Sequence, residues 1–600
     1  MRFLPLTSLM LLAPVLVAAE RINHAGRILG PAPTVTTPVL FNTPQADAIV
    51  SALQIMPKNN PWNEVITNRP VHADSGLIMG RIRSDLVAIN SNRNTLKVFS
   101  EMNYVLVPPT QPLVSMRFTE YPDDSDFYGG TNPIATWPIP TNMPIETWPS
   151  GRPAGESNDT WQRTVIDQDR HSIIVQPGAT PRLFETWQAV LTNNTPNWQA
   201  SNGAIFRFDS NALRTPGWTS GDAAGLPLFP ALIRYDECER GVIEHALRIV
   251  VNKSRKEYIY PATHHASPID NTNPNFASYP AMGQRVRLKS SFSVPTGWSK
   301  QSKAVANALK KYGALVADNG GFFSVSVCPD QRFPAGCFND VQTIDINQFD
   351  VISTTGPSEG PRAAGGPNAD AGADQNVQLA SGAGLSGSAS GSGIATTWSL
   401  YDPANAPGTA TIAAAGSLNT SVTFSAAGAY TFLLTVANGT HTPAYDAVVI
   451  TVLDGGGANP APTLSAISPS SLVAGSGTYT MTVTGINLMA SSTITWTGQT
   501  ALTPLTVTGG TEIAVSVPAS YVASAGTPQV RVVNPSIGAV GGGTSSPQTV
   551  AITAATAGGG FGGGGSSAGG GGGGCGVGAL SALMIFGAGL GLGRRILCGR

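Results

Sequence analysis

Seven histidines serve a chain of 600 residues, and His264 and His265 stand side by side in "IYPATHHASPID" (259–270). An extended backbone there would send adjacent side chains to opposite faces. One ring would then turn inward and the other would sit at the rim, which argues against a two-histidine metal clamp. His245, in "GVIEHALRI", shares its strand face with Ile243 and Leu247 and reads as inward, while Arg248 falls on the other face with Glu244. His171 opens a strand just after Asp169 and Arg170. If His171, His245 and His264 converge on one concave face, carboxylates are at hand in Glu185, in Asp222 of "GWTSGDAAG", and in Asp236 and Glu237 of "RYDE".

Two chemistries suit such a set. A polysaccharide hydrolase needs two carboxyl groups flanking the scissile bond, one protonated and one charged. A lyase needs a histidine or tyrosine base and a cation, here Arg234, to stabilise an enolate-like intermediate. The catalytic candidates are therefore His264, His245, His171, Asp222, Glu237 and Arg234. Trp218 and Tyr235 could stack on sugar rings, with Arg248 and Arg285 as further substrate contacts. The same residue types, buried and paired, also brace large β-sandwiches, and that bland reading stands beside the chemical one. In "YPDDSDFYGG", Asp123, Asp124 and Asp126 offer the hard oxygen ligands that calcium prefers, without the twelve-residue EF-hand pattern. A solvated acidic loop is the alternative. No G-x-S-x-G nucleophile motif and no G-x-x-x-x-G-K-[ST] phosphate loop occurs.

The elements around these residues are mostly strands. "LKVFSEMNYVLV", "LVSMRFT", "HSIIVQ", "RLFETWQAVL", "GAIFRFD", "VIEHALRIVV", "KEYIY" and "QRVRLKSSFSV" read as strands, and "TPQADAIVSALQIM" as a short amphipathic stretch. "SKQSKAVANALKKYGALV" is a helix, because Val305, Leu309 and Tyr312 repeat at i, i+4, i+7 with Lys303, Lys310 and Lys311 outward. Charged residues make up 12% of the chain while glycine (68) and proline (46) abound, a mix that suits turn-rich β modules rather than helical bundles. The fold class expected is mainly β: a large sandwich or jelly-roll-like domain with a few helices over 20–350, a linker at 351–365, then two immunoglobulin-like sandwiches. The formal charge of −1 gives no electrostatic reason to expect nucleic acid as a partner.

Both ends read as address labels. "MRFLPLTSLMLLAPVLVAAE" has one arginine, an apolar run and small residues at Val17 and Ala19, the pattern of a signal peptide over 1–19 with Glu20 as the first mature residue. Export would allow Cys328 and Cys337, which bracket "PDQRFPAG", to close as a disulfide, leaving Cys238 as a buried thiol. Residues 554–574 form a glycine- and serine-rich tether. Eighteen uncharged residues then separate Cys575 from the Arg594–Arg595 pair, enough to cross a bilayer roughly once as a helix. Tether, apolar span and basic end, with "GGGGCGVG" at the entry, resemble C-terminal sorting signals of Gram-negative-type bacteria. That resemblance implies a sorting protease and display at the cell surface or outer envelope, or secretion after trimming of 575–600. A permanent transmembrane anchor is the alternative, and "RRILCGR" departs from the usual plain basic cluster.

Residues 366–454 carry "AGADQNVQL", "TTWSL" and "SAAGAYTFLLTV" and resemble polycystic-kidney-disease-type (PKD) domains of bacterial surface proteins, which implies a spacer or weak binding module. Trp398, mid-strand, is suited to fill the space between two sheets. Residues 460–553 are similar to IPT/TIG immunoglobulin-like domains through Ile467-Ser-Pro469, Gly485-Ile-Asn487-Leu488 and the strand at Trp496. Gly-x-Asn there is a turn requirement rather than a reactive site, and His441 reads as a solvated loop residue. "GAIFRFDSNALRTPGWTSGDAAGLPLFPALIRYDE", "YIYPATHHAS" and "ALKKYGALVADNGGFFSVSV" resemble an uncharacterised family of secreted bacterial proteins over about 60–340; that resemblance implies no activity. The leading functional expectation is a surface-displayed protein whose first domain binds extracellular polysaccharide or another envelope component. A polysaccharide hydrolase or lyase is the first alternative, and a purely structural or adhesive surface protein the second.

Overall fold

The computed structural model describes residues 20–149, 156–165, 168–454, 459–536 and 541–554. The expected leader (1–19), the glycine- and serine-rich tether from 555 to 574 and the apolar segment 575–600 lie outside the described residues. With 33% strand against 14% helix, the chain is mainly β, well above the strand content of an average globular protein.

The first unit is built on a sheet with two covered faces. Its five strands run in the order Val39–Leu40, Val105–Leu106, Ser172–Gln176, Arg182–Trp187 and Asn202–Arg207. Every residue of Ser172–Gln176 is buried. Side chains alternate between faces, and here each face has its own core: Ile173, Val175 and Leu183 join one cluster, Ile174 and Phe184 the other. A strand covered on both sides reads as an unbroken apolar run, as "SIIVQ" does.

On one side the core is shared with a six-stranded sheet, ordered Phe349–Ile352, Arg285–Leu288, Ala314–Asn319, Leu247–Val251, Ser324–Val327 and Lys97–Ser100. That sheet is mixed, since Leu247–Val251 pairs in parallel with Ala314–Asn319. The helix Lys300–Lys311 leads into Ala314–Asn319. Ser299 caps it by accepting from the Ser302 amide. Val305, Leu309 and Tyr312 are fully buried, as their spacing predicts. Gly313, at φ +68°, turns the chain into the strand. A second long helix, Ser75–Ile89, buries Ile78, Ile82 and Leu86.

On the other side lies a four-stranded sheet ordered Ile134–Trp137, Val114–Phe118, Trp198–Ala200 and Val190–Leu191. Phe118, Trp137 and Phe184 fill the space between these sheets. The approach is close enough to demand glycine at 203, where a Cβ would lie 2.5 Å from the Phe118 ring and 2.6 Å from Trp137.

In the second unit a four-stranded and a three-stranded sheet enclose Trp398, which packs with Leu385, Val422 and Leu434. The third unit has the same two-sheet character around Met481, Val515, Val532 and Trp496. Asn487 there adopts φ +61°, the left-handed turn position read from Gly-x-Asn.

Residues 351–365, expected as a linker, fold back on the first unit, and the first two of them end the strand Phe349–Ile352. The Arg362 guanidinium donates to Glu64 Oε2 at 3.0 Å and to the Asn59 carbonyl at 3.1 Å. His441, rather than being free in solvent, places Nε2 3.2 Å from the Ala363 carbonyl of the same segment. Residues 21–30 strap the first unit to the second. Arg27 pairs with Glu244 at 2.8 Å, the Ile28 amide donates to Tyr401 Oη at 3.2 Å, and Ile22 and Ile28 pack with Leu433 and Tyr445.

The expected disulfide does not form: Cys328, Cys337 and Cys238 are all free and buried. Cys328 ends a core strand, whereas the Cys337 carbonyl accepts from Ser302 Oγ at 2.8 Å at the start of the helix Lys300–Lys311. The intervening loop is closed instead by charge and rings. Arg332 pairs with Asp47 and Asp330, and Phe333 packs edge-on against both Phe338 and Tyr235.

Candidate functional site

The sequence-chosen residues do gather, but around a loop rather than around a cavity. Residues 220–224 are clamped from several elements at once. His171 donates from Nε2 to the Gly221 carbonyl at 2.7 Å. His264 donates from Nδ1 to the Ala223 carbonyl at 2.7 Å. Arg248 grips Asp222 with two bonds, 2.7 and 3.0 Å, and reaches Ser326 at 3.0 Å. Arg248 is therefore a brace and not a substrate contact, and Asp222 is already spent on it.

Behind the loop, His171 is sealed. Its Nδ1 donates to Glu146 Oε2 at 2.8 Å and its amide donates to the same oxygen at 3.1 Å. Burial alone would lower the imidazole pKa, but the Glu146 carboxylate overrides it and lifts the value to about 10. His171 is thus a cation at neutral pH with both ring protons engaged, unsuited to act as a general base. Burial pushes the Glu146 carboxyl up, and the imidazolium more than offsets it, leaving Glu146 below its ordinary value.

His245, Glu237 and Arg234 form a second cluster, with no hydrogen bond or ion pair to the first among the described residues. Arg234 and Glu237 pair directly, and His245 Nε2 lies 3.1 Å from Glu237 Oε1. Its Nδ1 donates to the Ala246 carbonyl at 2.8 Å. Burial opposes ionisation of Glu237, yet Arg234 and His245 hold it well below the usual carboxylate range. Glu237 sits on the short helix Tyr235–Arg240, whose Asp236 takes Arg240 at 2.8 Å. The segment 21–30 covers this cluster, and the crevice left has room for about 30 Å³. That is water-sized, not sugar-sized.

Burial alone would raise the Glu185 carboxyl. It reaches about 7 even though it accepts from the Leu228 and Phe229 amides. Arg285, proposed for substrate, is buried and donates to the Pro61 and Glu64 carbonyls; burial lowers its pKa to about 10. Trp218 lies under Arg214 at 5.6 Å and Tyr235 under Arg332 at 4.0 Å, so the cation faces of both rings are occupied.

The opening pair departs from expectation. Residues 259–270 form no strand, and the His264 and His265 rings stack on one side, 5.6 Å apart and 13° from parallel. His265 also stacks on Tyr258 at 6.4 Å. The opposite-face argument required an extended backbone that is not there.

The acidic loop does not assemble a calcium cage either. Asp126 is paired with Arg214 and accepts from the Ile205 amide at 2.8 Å. Asp123 accepts from Asn132 at 2.8 Å, while Asp124 offers its carbonyl to Arg214 at 2.6 Å. Among the described residues no group of three or more His, Cys, Asp or Glu is arranged to hold a metal ion. No described helix is long and apolar enough to cross a membrane; the segment expected to do so, 575–600, lies outside the described residues.

A cleft of about 440 Å³, which no sequence-chosen residue lines, opens at the end of the second core. Its lining comes from residues 114–115, 139–141, 159, 162–163, 191 and 196–198. Trp198 and Arg163 among them are of types enriched in binding surfaces, and Arg163 is paired with Asp159.

Comparison with known proteins assigns one part of the chain. Residues 371–452 match the PKD domain family model. No curated protein matches the chain. Among solved structures, the tandem Ig repeats of Dlar are 12% identical with 32% of this chain and all of that chain covered, at a TM-score of 0.13. A chimeric titin Z1Z2-Z1Z2 tandem is 14% identical with 32% and 100% covered, TM-score 0.16. SGBP-B of the Bacteroides ovatus mixed-linkage glucan utilization locus, in complex with a mixed-linkage heptasaccharide, is 12% identical with 30% and 43% covered, TM-score 0.12. The match identifies a PKD domain at residues 371–452.

Proposed function

We propose that this chain is an exported, surface-displayed adhesive protein whose first unit binds extracellular polysaccharide without breaking it, and whose PKD-like and Ig-like units hold it away from the envelope. One observation carries the non-catalytic part of this reading. The histidines that would have served as acid and base are clamps: His171 and His264 each donate to the backbone of loop 220–224, and His245 is sealed against Glu237. A hydrolase requires two carboxyls facing a substrate-sized space. Here Asp222 and Glu237 face arginines. The IPT/TIG resemblance of 460–553, the leader and the sorting tail supply the address, and a sorting protease remains the partner that the tail implies.

Protease shaving of intact cells, followed by incubation of the full-length protein with a polysaccharide panel, tests both halves. The expected result is removal of the protein by external protease, retention on at least one polysaccharide, and no new reducing or unsaturated ends. Protection in the cytosol would overturn the display. New ends that disappear on His264→Ala or His245→Ala would restore the enzyme.

A further inference from the structure

We infer that the cleft at the open end of the second core is a binding site for an uncharged glycan segment; this rests on the polysaccharide-binding reading above and gives it a location. The helix Asn158–Arg163 forms one wall, and one end of the four-stranded sheet that holds Val114–Phe118 and Trp198–Ala200 forms the floor. The floor is apolar: Trp198 and Ile139 belong to the second core, and Val114 and Leu191 pack against it. At about 440 Å³ the space lies within the range of small-ligand sites.

Its polar groups are the informative part. Gln162, 1% exposed, ties the helix to the cleft rim by donating its amide to the Thr141 and Met143 carbonyls at 3.0 and 2.8 Å, and its buried Oε1 is closed to a ligand. The Ser115 and Thr141 hydroxyls, the Asn197 amide and the Trp198 indole N–H have no protein partner among the described residues. By contrast the charges at the wall cancel, because Asp159 and Arg163 pair at 3.4 Å. An apolar floor, several free hydroxyl and amide groups and no net charge suit a polyol with C–H faces. They do not suit an anion, which would need an uncompensated cation, nor a cation, which would need a free carboxylate.

The test uses the full-length protein in affinity electrophoresis and tryptophan fluorescence against a soluble neutral β-glucan, α-mannan and dextran, with polygalacturonate and a proline-rich peptide as the charged and peptide arms. The expected result is binding to at least one neutral glycan that is unchanged between about 50 and 500 mM salt. Asn197→Ala with Thr141→Ala should weaken it about tenfold, and Ser115→Trp, at an exposed position on the cleft, should abolish it by filling the space. Retention that survives Ser115→Trp would overturn the cleft while leaving polysaccharide binding in place. Failure of the native protein to bind any member would overturn both readings. Binding confined to polygalacturonate or to the peptide would overturn the ligand class. Because Ser115, Thr141 and Asn197 are exposed, unchanged thermal unfolding of each variant separates a lost site from a lost fold.

Discussion

Glu146→Gln decides whether the most chemical-looking histidine is a brace. Both members of the pair are almost out of solvent, His171 at 5% and Glu146 at 7% exposure. In the unfolded chain the imidazole titrates near 6.5, and in the folded chain near 10. At about 1.4 kcal/mol per tenfold change, that gap corresponds to roughly 4–5 kcal/mol of stability. It agrees with the roughly 3–5 kcal/mol expected for removing one partner of a buried pair.

The sign follows from which form the fold prefers. Since the folded pKa of His171 is raised, its contribution is full below about 6.5 and fades as pH climbs towards about 10. Glu146 works in reverse: its folded pKa is depressed, so its contribution holds above the ordinary carboxylate range and is lost on acidification. Urea unfolding of the first unit, followed by near-ultraviolet circular dichroism between pH 5 and 10, should show native stability falling over the alkaline half. Glu146→Gln should lower the midpoint at pH 6 and flatten that dependence. Retention on polysaccharide, where the folded fraction is unchanged, should not move. A variant with native stability and no retention would refute the brace and return His171 to the site.

Arg248→Met should destabilise the first unit by roughly 3–5 kcal/mol, because Asp222 is left buried and charged; Arg248→Met with Asp222→Leu should recover most of the loss, as read by chemical unfolding. Trp398→Ala should remove roughly 3–5 kcal/mol from the PKD-like unit, lowering its transition in calorimetry and leaving the first unit's transition in place. Cys238, Cys328 and Cys337 should stay unreactive towards an alkylating reagent in the native protein and all react after unfolding without reductant; a Cys328–Cys337 link detected by mass spectrometry would contradict this. Tyr401→Phe should weaken the strap by about 1 kcal/mol through the lost bond from the Ile28 amide, seen as faster limited proteolysis between the first two units.

Periodicity made the strongest elements legible. The helix Lys300–Lys311 was readable because Val305, Leu309 and Tyr312 keep a 3.6-residue beat with lysines opposite. Ser75–Ile89 buries Ile78, Ile82 and Leu86 on the same beat, but Gly76, Gly80 and Ser84 dilute its propensity and hid it. His245 was read as inward from alternation and is buried, although the strand begins only at Leu247; the burial of His171 and the partners of both histidines were not readable. Glu146 lies twenty-five positions from His171, and only the packing of its turn against the entry to the strand Ser172–Gln176 brings the two together. The disulfide failed for a related reason, since eight residues between cysteines permit closure but do not require it. The cleft left almost no trace, because it is assembled from separated segments of ordinary residues.

Where the charged residues went explains where a ligand can go. In the first unit arginines are spent on backbone: Arg285 on Pro61 and Glu64, Arg287 on Ile66, Thr67 and Arg69. His171 and His264 serve loop 220–224 in the same way. A unit with many irregular connections between sheets has many carbonyls without ladder partners, and each must be matched once buried. Long cationic side chains and imidazoles meet that need across gaps that no strand could span. The polar centre of the first unit is therefore committed to holding its loops. Recognition has to use surface polar groups that folding leaves free, and Ser115, Thr141, Asn197 and the Trp198 N–H bring several of them to one cleft. If binding instead tracked substitutions at His171 or His264 without loss of fold, this division between braced interior and open mouth would be wrong.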